Sequence, residues 1–281
     1  MDVMPRVLLT AVALVTCSLA AVPAGSGRVG AGFDHAYADY GAILAAHVAG
    51  DRVNYAALAA GRSSFDRVVA SFASVTRTDE AGWARPERMA YWINAYNLFT
   101  LKAIIDHYPI RGSFFSRHPR NSIRQISGVW TALTWNAGGR QLTLDDIEHR
   151  LLRPEFQDPR VHFAINCASV GCPPLASEPY RAGQLEAQLD KAAVRYLSGP
   201  TGLVVDGTTL RLSSIFKWYG SDFDARFTAS GPAGWTGTDR ALLGMVKTYG
   251  PAAARTLAEQ PGTRLAYLDY DWTLNDTANR P

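Results

Sequence analysis

PERMAYWINAYNLFTLKAIIDHYP, residues 86–109, is the stretch from which the rest of this chain is read. Pro86 suits a first helical turn. Met89, Trp92, Ile93, Tyr96 and Leu101 recur at helical spacing, and His107-Tyr108-Pro109 ends the run. The segment is apolar on more than one face, so a central, buried helix is expected. Asn94 and Asn97 then stand out: a buried amide left without partners costs roughly 1–3 kcal/mol. Each is expected to clamp backbone or to line a site.

Upstream, Phe33, Tyr37, Tyr40, Leu44 and His47 step by three and four toward a stop at Gly50, an amphipathic helix on which His47 reads as a core or boundary residue. Downstream, residues 129–142 read as a hairpin around Asn136-Ala137-Gly138-Gly139. Thr143 and Asp146 form a capping-box pattern that opens a helix over 144–152, and Pro154 stops it. Residues 161–167 are nearly all apolar, branched or aromatic, which predicts a buried strand. Further helices are expected over 184–197, 215–219 and 238–249. A hairpin over 203–212 turns at Asp206-Gly207, and an aromatic strand over 265–272 comes last. The mixture is α+β, helices enclosing a small, mainly antiparallel sheet in one domain, residues 25–281.

Residues 1–24 have the layout of a secretory signal: Arg6, an apolar run over 7–15, and Ala21-Val22-Pro23-Ala24 before the expected cleavage. A periplasmic or secreted protein is the expectation. Cys17 follows Thr16, a poor residue for lipoprotein processing. No stretch is apolar for the roughly 20 residues a membrane span needs. The chain carries 28 basic and 25 acidic residues, a net charge of +3, too weak for a nucleic-acid footprint. The expected partner is a small-molecule or peptide-like substrate.

Reactive side chains crowd into 145–172: Asp145, Asp146, Glu148, His149, His162, Asn166, Cys167, Ser169 and Cys172. On the helix, Glu148 sits beside the core stripe of Leu144, Ile147 and Leu151, and His149 lies about 100° further round. A partly buried Glu148 has its carboxyl pKa raised unless a cation compensates. Strand alternation puts His162 and Cys167 on opposite faces, so regular geometry does not make them a dyad. Cys167 still stands where the strand gives way to a small-residue loop, a common place to present a nucleophile. Packing as a small apolar residue, or oxidation to Cys172, competes with that role. Glu148, His149, His162 and Cys167 are zinc-type ligands, but adjacent Glu and His do not converge on one ion from a regular helix. No phosphate loop, dinucleotide fingerprint, HExxH or GxSxG occurs, so neither cofactor nor metal is expected.

The motifs Tyr91-Trp92-Ile93-Asn94-Ala95-Tyr96-Asn97, Leu144-Asp145-Asp146-Ile147-Glu148-His149, residues 158–169 with Gly171-Cys172-Pro173-Pro174-Leu175, Ile215-Phe216-Lys217-Trp218-Tyr219 and Tyr270-Asp271-Trp272-Thr273-Leu274-Asn275 closely resemble the bacterial and plant family called domain of unknown function 547. The resemblance spans about residues 50–275. It implies a single exported domain of the bacterial kind and supplies no substrate or mechanism. The residues themselves point to a thiol-dependent hydrolase or acyl-transfer enzyme: Cys167 as nucleophile, His149 or His162 as base, and Glu148, Asn94 or Asn97 orienting and polarising. The alternative is a non-catalytic binding or scaffold domain with a Cys167–Cys172 disulfide.

Overall fold

Helix α5 (Arg85–Asp106) is buried along nearly its whole length, and the computed structural model, which describes Met1 and residues 32–279, builds outward from it. Pro86 sits in its first turn, and the Glu87 carboxylate accepts the Ala84 N–H at 2.9 Å, closing the N-terminus. Helices α2 (Tyr55–Ala60) and α3 (Arg62–Ala73) pack against it, and α1 (Ala38–His47) packs on those two. Tyr91 ties α5 to α3 by stacking on Phe72 and donating to the Phe72 carbonyl at 3.0 Å. Helix α4 (Arg77–Gly82) brings the buried Glu80 carboxylate to Trp92 Nε1, Arg88 and Arg140.

The hairpin is shorter than expected. Only β3 (Trp135–Ala137) and β4 (Arg140–Leu142) pair. Gly138 and Gly139 both take positive φ, as a two-residue hairpin turn requires. Residues 129–133 turn instead, because the Gly128 carbonyl collects the N–H groups of Thr131, Ala132 and Leu133.

The Thr143–Asp146 capping box is present, both bonds at 3.0 Å, but the helix it opens is a π-helix (Asp146–Phe156) with Pro154 inside it. A proline near the end removes one donor, and Arg85 satisfies the exposed carbonyls of Glu155 and Phe156 at 2.8 and 2.6 Å. The wider turn narrows the angle between successive side chains. Ile147 and Leu152 stay in the core while Glu148 and His149 both face one cleft.

The predicted strand over 161–167 is not a strand. Residues Val161–Ala164 form a short helix, α6, followed by extended backbone from Ile165. Asp158 and Pro159 start it: the Asp158 carboxylate accepts the Arg160 N–H at 3.0 Å, and the Asp158 carbonyl accepts that of Val161. The continuous apolar run reflects burial on all sides. Phe163 packs into one hydrophobic cluster while Val161, Ala164 and Ile165 pack into the other. Fully buried Arg160 anchors the segment through Asp158, Glu186 and Asp190, the last two on α7 (Leu185–Leu197).

Beyond α7, the second cluster is built on a three-stranded sheet. β5 (Leu203–Asp206) pairs antiparallel with β6 (Thr209–Leu212), and β6 pairs parallel with β7 (Arg264–Tyr267). Helices α8 (Ser214–Tyr219), α9 (Asp224–Phe227), α10 (Gly237–Tyr249) and α11 (Ala252–Ala258) cover it. The last strand stops at Tyr267, and 268–275 continue as a strap rather than as sheet. The described residues are α+β, as expected, and those from Phe33 onward fall in one unit. The signal expected over residues 1–24 lies outside the described residues.

Candidate functional site

A cleft of about 400 Å³ opens where the two hydrophobic clusters meet. Its floor is the loop after α6. Asn97 fixes the entrance to that loop: its amide donates to the Ala164 carbonyl at 2.9 Å and accepts the Asn166 N–H at 2.8 Å. Asn166 then holds the turn, accepting the Ala168 N–H and donating to the Pro173 carbonyl. Ala168 follows Cys167 in the left-handed region at φ 57°, a conformation that costs a non-glycine residue about 1 kcal/mol or more. The strap locks the turn from outside. Val170 and Gly171 donate to Thr273 and Asp271, Asn275 donates to the Ala168 carbonyl, and Gly171 leaves room for the Tyr270 ring.

This pairing places Tyr270 on the thiol. Cys167 Sγ lies 3.1 Å from Tyr270 Oη, 3.2 Å from Ser169 Oγ and 2.7 Å from Cys172 Sγ. Both cysteines are free. Burial pushes the Cys167 thiol pKa up, but the hydrogen bonds it shares with Cys172, Ser169 and Tyr270 outweigh it and hold the thiol below its ordinary value. Burial and the neighbouring Cys167 push Cys172 the other way. Cys167 is half-buried and Cys172 is buried.

One wall carries acids and imidazoles. Glu148 is buried, and desolvation raises its carboxyl pKa against only partial relief from His149 and Tyr96. His162 Nε2 lies 2.7 Å from Asp222, with the ring stacked on Tyr219 at 4.6 Å. Arg153 grips Asp222 with two hydrogen bonds, 2.6 and 2.9 Å, and reaches His149 Nδ1 at 2.9 Å. Burial opposes the Asp222 charge, yet bonds from His162 and Arg153 hold its carboxyl far below the usual range. Burial lowers the His162 pKa despite Asp222, which favours a neutral ring. Because the Asp222 carboxylate accepts from Nε2–H, Nδ1 of that neutral ring is left as the basic nitrogen. His149 differs: Arg153 can only donate, so His149 Nδ1 accepts, and Nε2 turns toward Asp145 at 3.7 Å.

Trp130, Trp218, Trp272 and Tyr219 make much of the remaining lining aromatic, with Tyr219 on the imidazole side where it stacks on His162. The cleft therefore gathers Cys167, Glu148, His149 and His162. It does not include Asn94, which clamps Tyr180 through its carbonyl at 2.8 Å and its N–H at 2.9 Å, nor Asn97, which acts through the loop backbone. Neither imidazole is a hydrogen-bond partner of the sulfur. Among the described residues, no group of three or more His, Cys, Asp or Glu is placed to hold a metal ion. Tyr270, Tyr96, Arg153 and Asp222 were not foreseen as site residues. Tyr96 and Tyr270 stand inside the quoted motifs, which was the available signal, whereas nothing in the sequence around Asp222 marks it.

Residues 81–197 match the model of a family described as "Protein of unknown function, DUF547". The match takes in the motifs at 91–97, 144–149 and 158–175, and ends before those at 215–219 and 270–275. No curated protein and no solved structure matches the chain.

Proposed function

We propose that the protein, whose residues 81–197 match the DUF547 family model, is an exported thiol enzyme that hydrolyses or transfers an acyl group, with Cys167 as its nucleophile. The observation that carries this reading is the convergence of Cys172, Ser169 and Tyr270 on one sulfur that faces a cleft. Donors around a thiol stabilise the thiolate, which is the reactive form.

In the proposed reaction the Cys167 thiolate attacks the acyl carbon, so an S–C bond forms and the bond to the leaving group breaks. The leaving group takes a proton from the Glu148 carboxyl, which burial keeps protonated above the usual carboxylate range. Water, or a second nucleophile, then cleaves the thioester and gives its proton to His162 Nδ1; the C–S bond breaks, Cys167 leaves as thiolate, and the proton on His162 returns through solvent to Glu148, which resets both groups. Asp222 holds that ring as the carboxylate of a triad does. His149 is engaged by Arg153 and is assigned a supporting role. The aromatic lining suits an acyl group with an apolar body.

A nitrophenyl ester used as probe tests the reading. The full chain should form an acyl adduct on Cys167, found by peptide mass spectrometry. Cys167→Ser should lose it, and Cys172→Ser should retain part of it. Equal acylation of wild type and Cys167→Ser would sink the proposal. The adjacency of the two sulfurs favours one other reading, a binding domain stapled by a Cys167–Cys172 disulfide. In that case intact mass would show two hydrogen atoms missing, and Cys167 would take no probe until the protein is reduced.

A further inference from the structure

Residues 107–144 contain no Asp or Glu and five arginines, Arg111, Arg117, Arg120, Arg124 and Arg140. In the middle of this acid-free stretch, RGSFFSRHPR at 111–120 carries Phe114 and Phe115, which are 79% and 101% exposed. Two adjacent phenyl rings left in water are costly and ask for a partner. Among the described residues, Arg111, Arg117, Arg120 and Arg124 form no ion pair.

The loop is braced. Gln125 donates to the carbonyls of His118 and Pro119 at 3.1 and 3.2 Å and accepts the Ser113 N–H at 3.3 Å. Gly112 bonds across to Arg120, and a Cβ at Gly112 would collide with the Gln125 side chain. The Phe pair is therefore presented outward by a fixed turn. Its base reaches the cleft rim, where Arg124 packs over Trp272 at 4.8 Å and the His118 ring meets the same indole.

We propose that loop 111–120 docks the protein on an anionic phospholipid surface. Phe114 and Phe115 enter the acyl-chain boundary, and Arg111 and Arg117 meet the phosphates. A protruding apolar tip with basic flanks is the chemistry of interfacial insertion. Single-stranded nucleic acid would call for a basic groove with open ring faces, whereas here the rings stand exposed rather than lining a groove and Arg120 covers one face of Phe114 at 4.2 Å. The proposal is independent of what Cys167 does.

Co-sedimentation of the full chain with vesicles of phosphatidylcholine, with and without phosphatidylglycerol, provides the test. Wild type should partition onto the phosphatidylglycerol vesicles. Phe114→Ser with Phe115→Ser should weaken that partition at least about tenfold at unchanged Tm, and Arg111→Gln with Arg117→Gln should remove the preference for the anionic lipid. The proposal is overturned if wild type stays in the supernatant or if the Phe variant sediments as wild type does. It is equally overturned if the Phe variant loses binding to a single-stranded oligonucleotide rather than to vesicles.

Discussion

Glu148 shows how far one side chain's position governs the site. Its carboxyl is buried beside Tyr96 and raised by desolvation, so the folded state prefers it protonated. A carboxyl whose folded pKa exceeds its unfolded value contributes stability below the ordinary carboxylate range and loses it as pH rises through the folded pKa. Glu148→Gln should therefore be more stable than wild type at pH 8, and the gap in Tm should shrink as the pH falls toward 4. Thermal scans across that range check it, and a constant or inverted gap would place a compensating cation at the carboxylate. The same substitution should abolish the proton donation assigned to Glu148, giving a more stable but slower protein. That pairing is common where activity depends on a strained ionisable group.

At the scale of elements, the two asparagines of α5 separate support from positioning. Both make two buried hydrogen bonds to backbone, so Asn94→Ala and Asn97→Ala should each cost about 2–4 kcal/mol in urea unfolding. Their effects on the thiol should differ. Asn97→Ala frees the backbone leading into Cys167 and should slow its alkylation, whereas Asn94→Ala releases Tyr180 and should leave that rate alone. If the two variants slow the thiol equally, the loop is held by global stability and not by Asn97.

The sequence made α5 legible, because a long apolar run with Pro86 at one end and Pro109 at the other has few alternatives. It misled at 161–167. There a run apolar on every side reads equally as a buried strand or as a helix wedged between two clusters, and the deciding contacts, Arg160 with Glu186 and Asp190, lie more than twenty residues away. Consequently, the alternation that set His162 and Cys167 on opposite faces does not apply, and both line the cleft. The π-helix was equally hidden, since its capping box is the one an ordinary helix would use.

For the whole molecule, the site is a product of long-range closure. Tyr270 comes from beyond the family match, a hundred residues after the thiol, and reaches it only because the 270–275 strap pairs with the turn behind Cys167. Asp222 arrives similarly, from a stretch with no visible signature, and joins His162 to Arg153. The loop that carries Cys167, and the residues crowded before it, were visible in the sequence. The groups that tune it were not, because no local pattern records which distant side chain will donate to a sulfur.

The central claim is that these donors make Cys167 an activated thiol. The most direct measurement is the rate of iodoacetamide alkylation at Cys167 and at Cys172 from pH 5 to 10, resolved by peptide mass spectrometry, in wild type and in Tyr270→Phe. The account predicts that Cys167 reacts at pH values where an ordinary thiol is still protonated and that Cys172 lags behind it. Removing the Tyr270 hydroxyl should move the Cys167 profile to higher pH. A Cys167 profile at or above that of an ordinary thiol, unmoved by Tyr270→Phe, would contradict it.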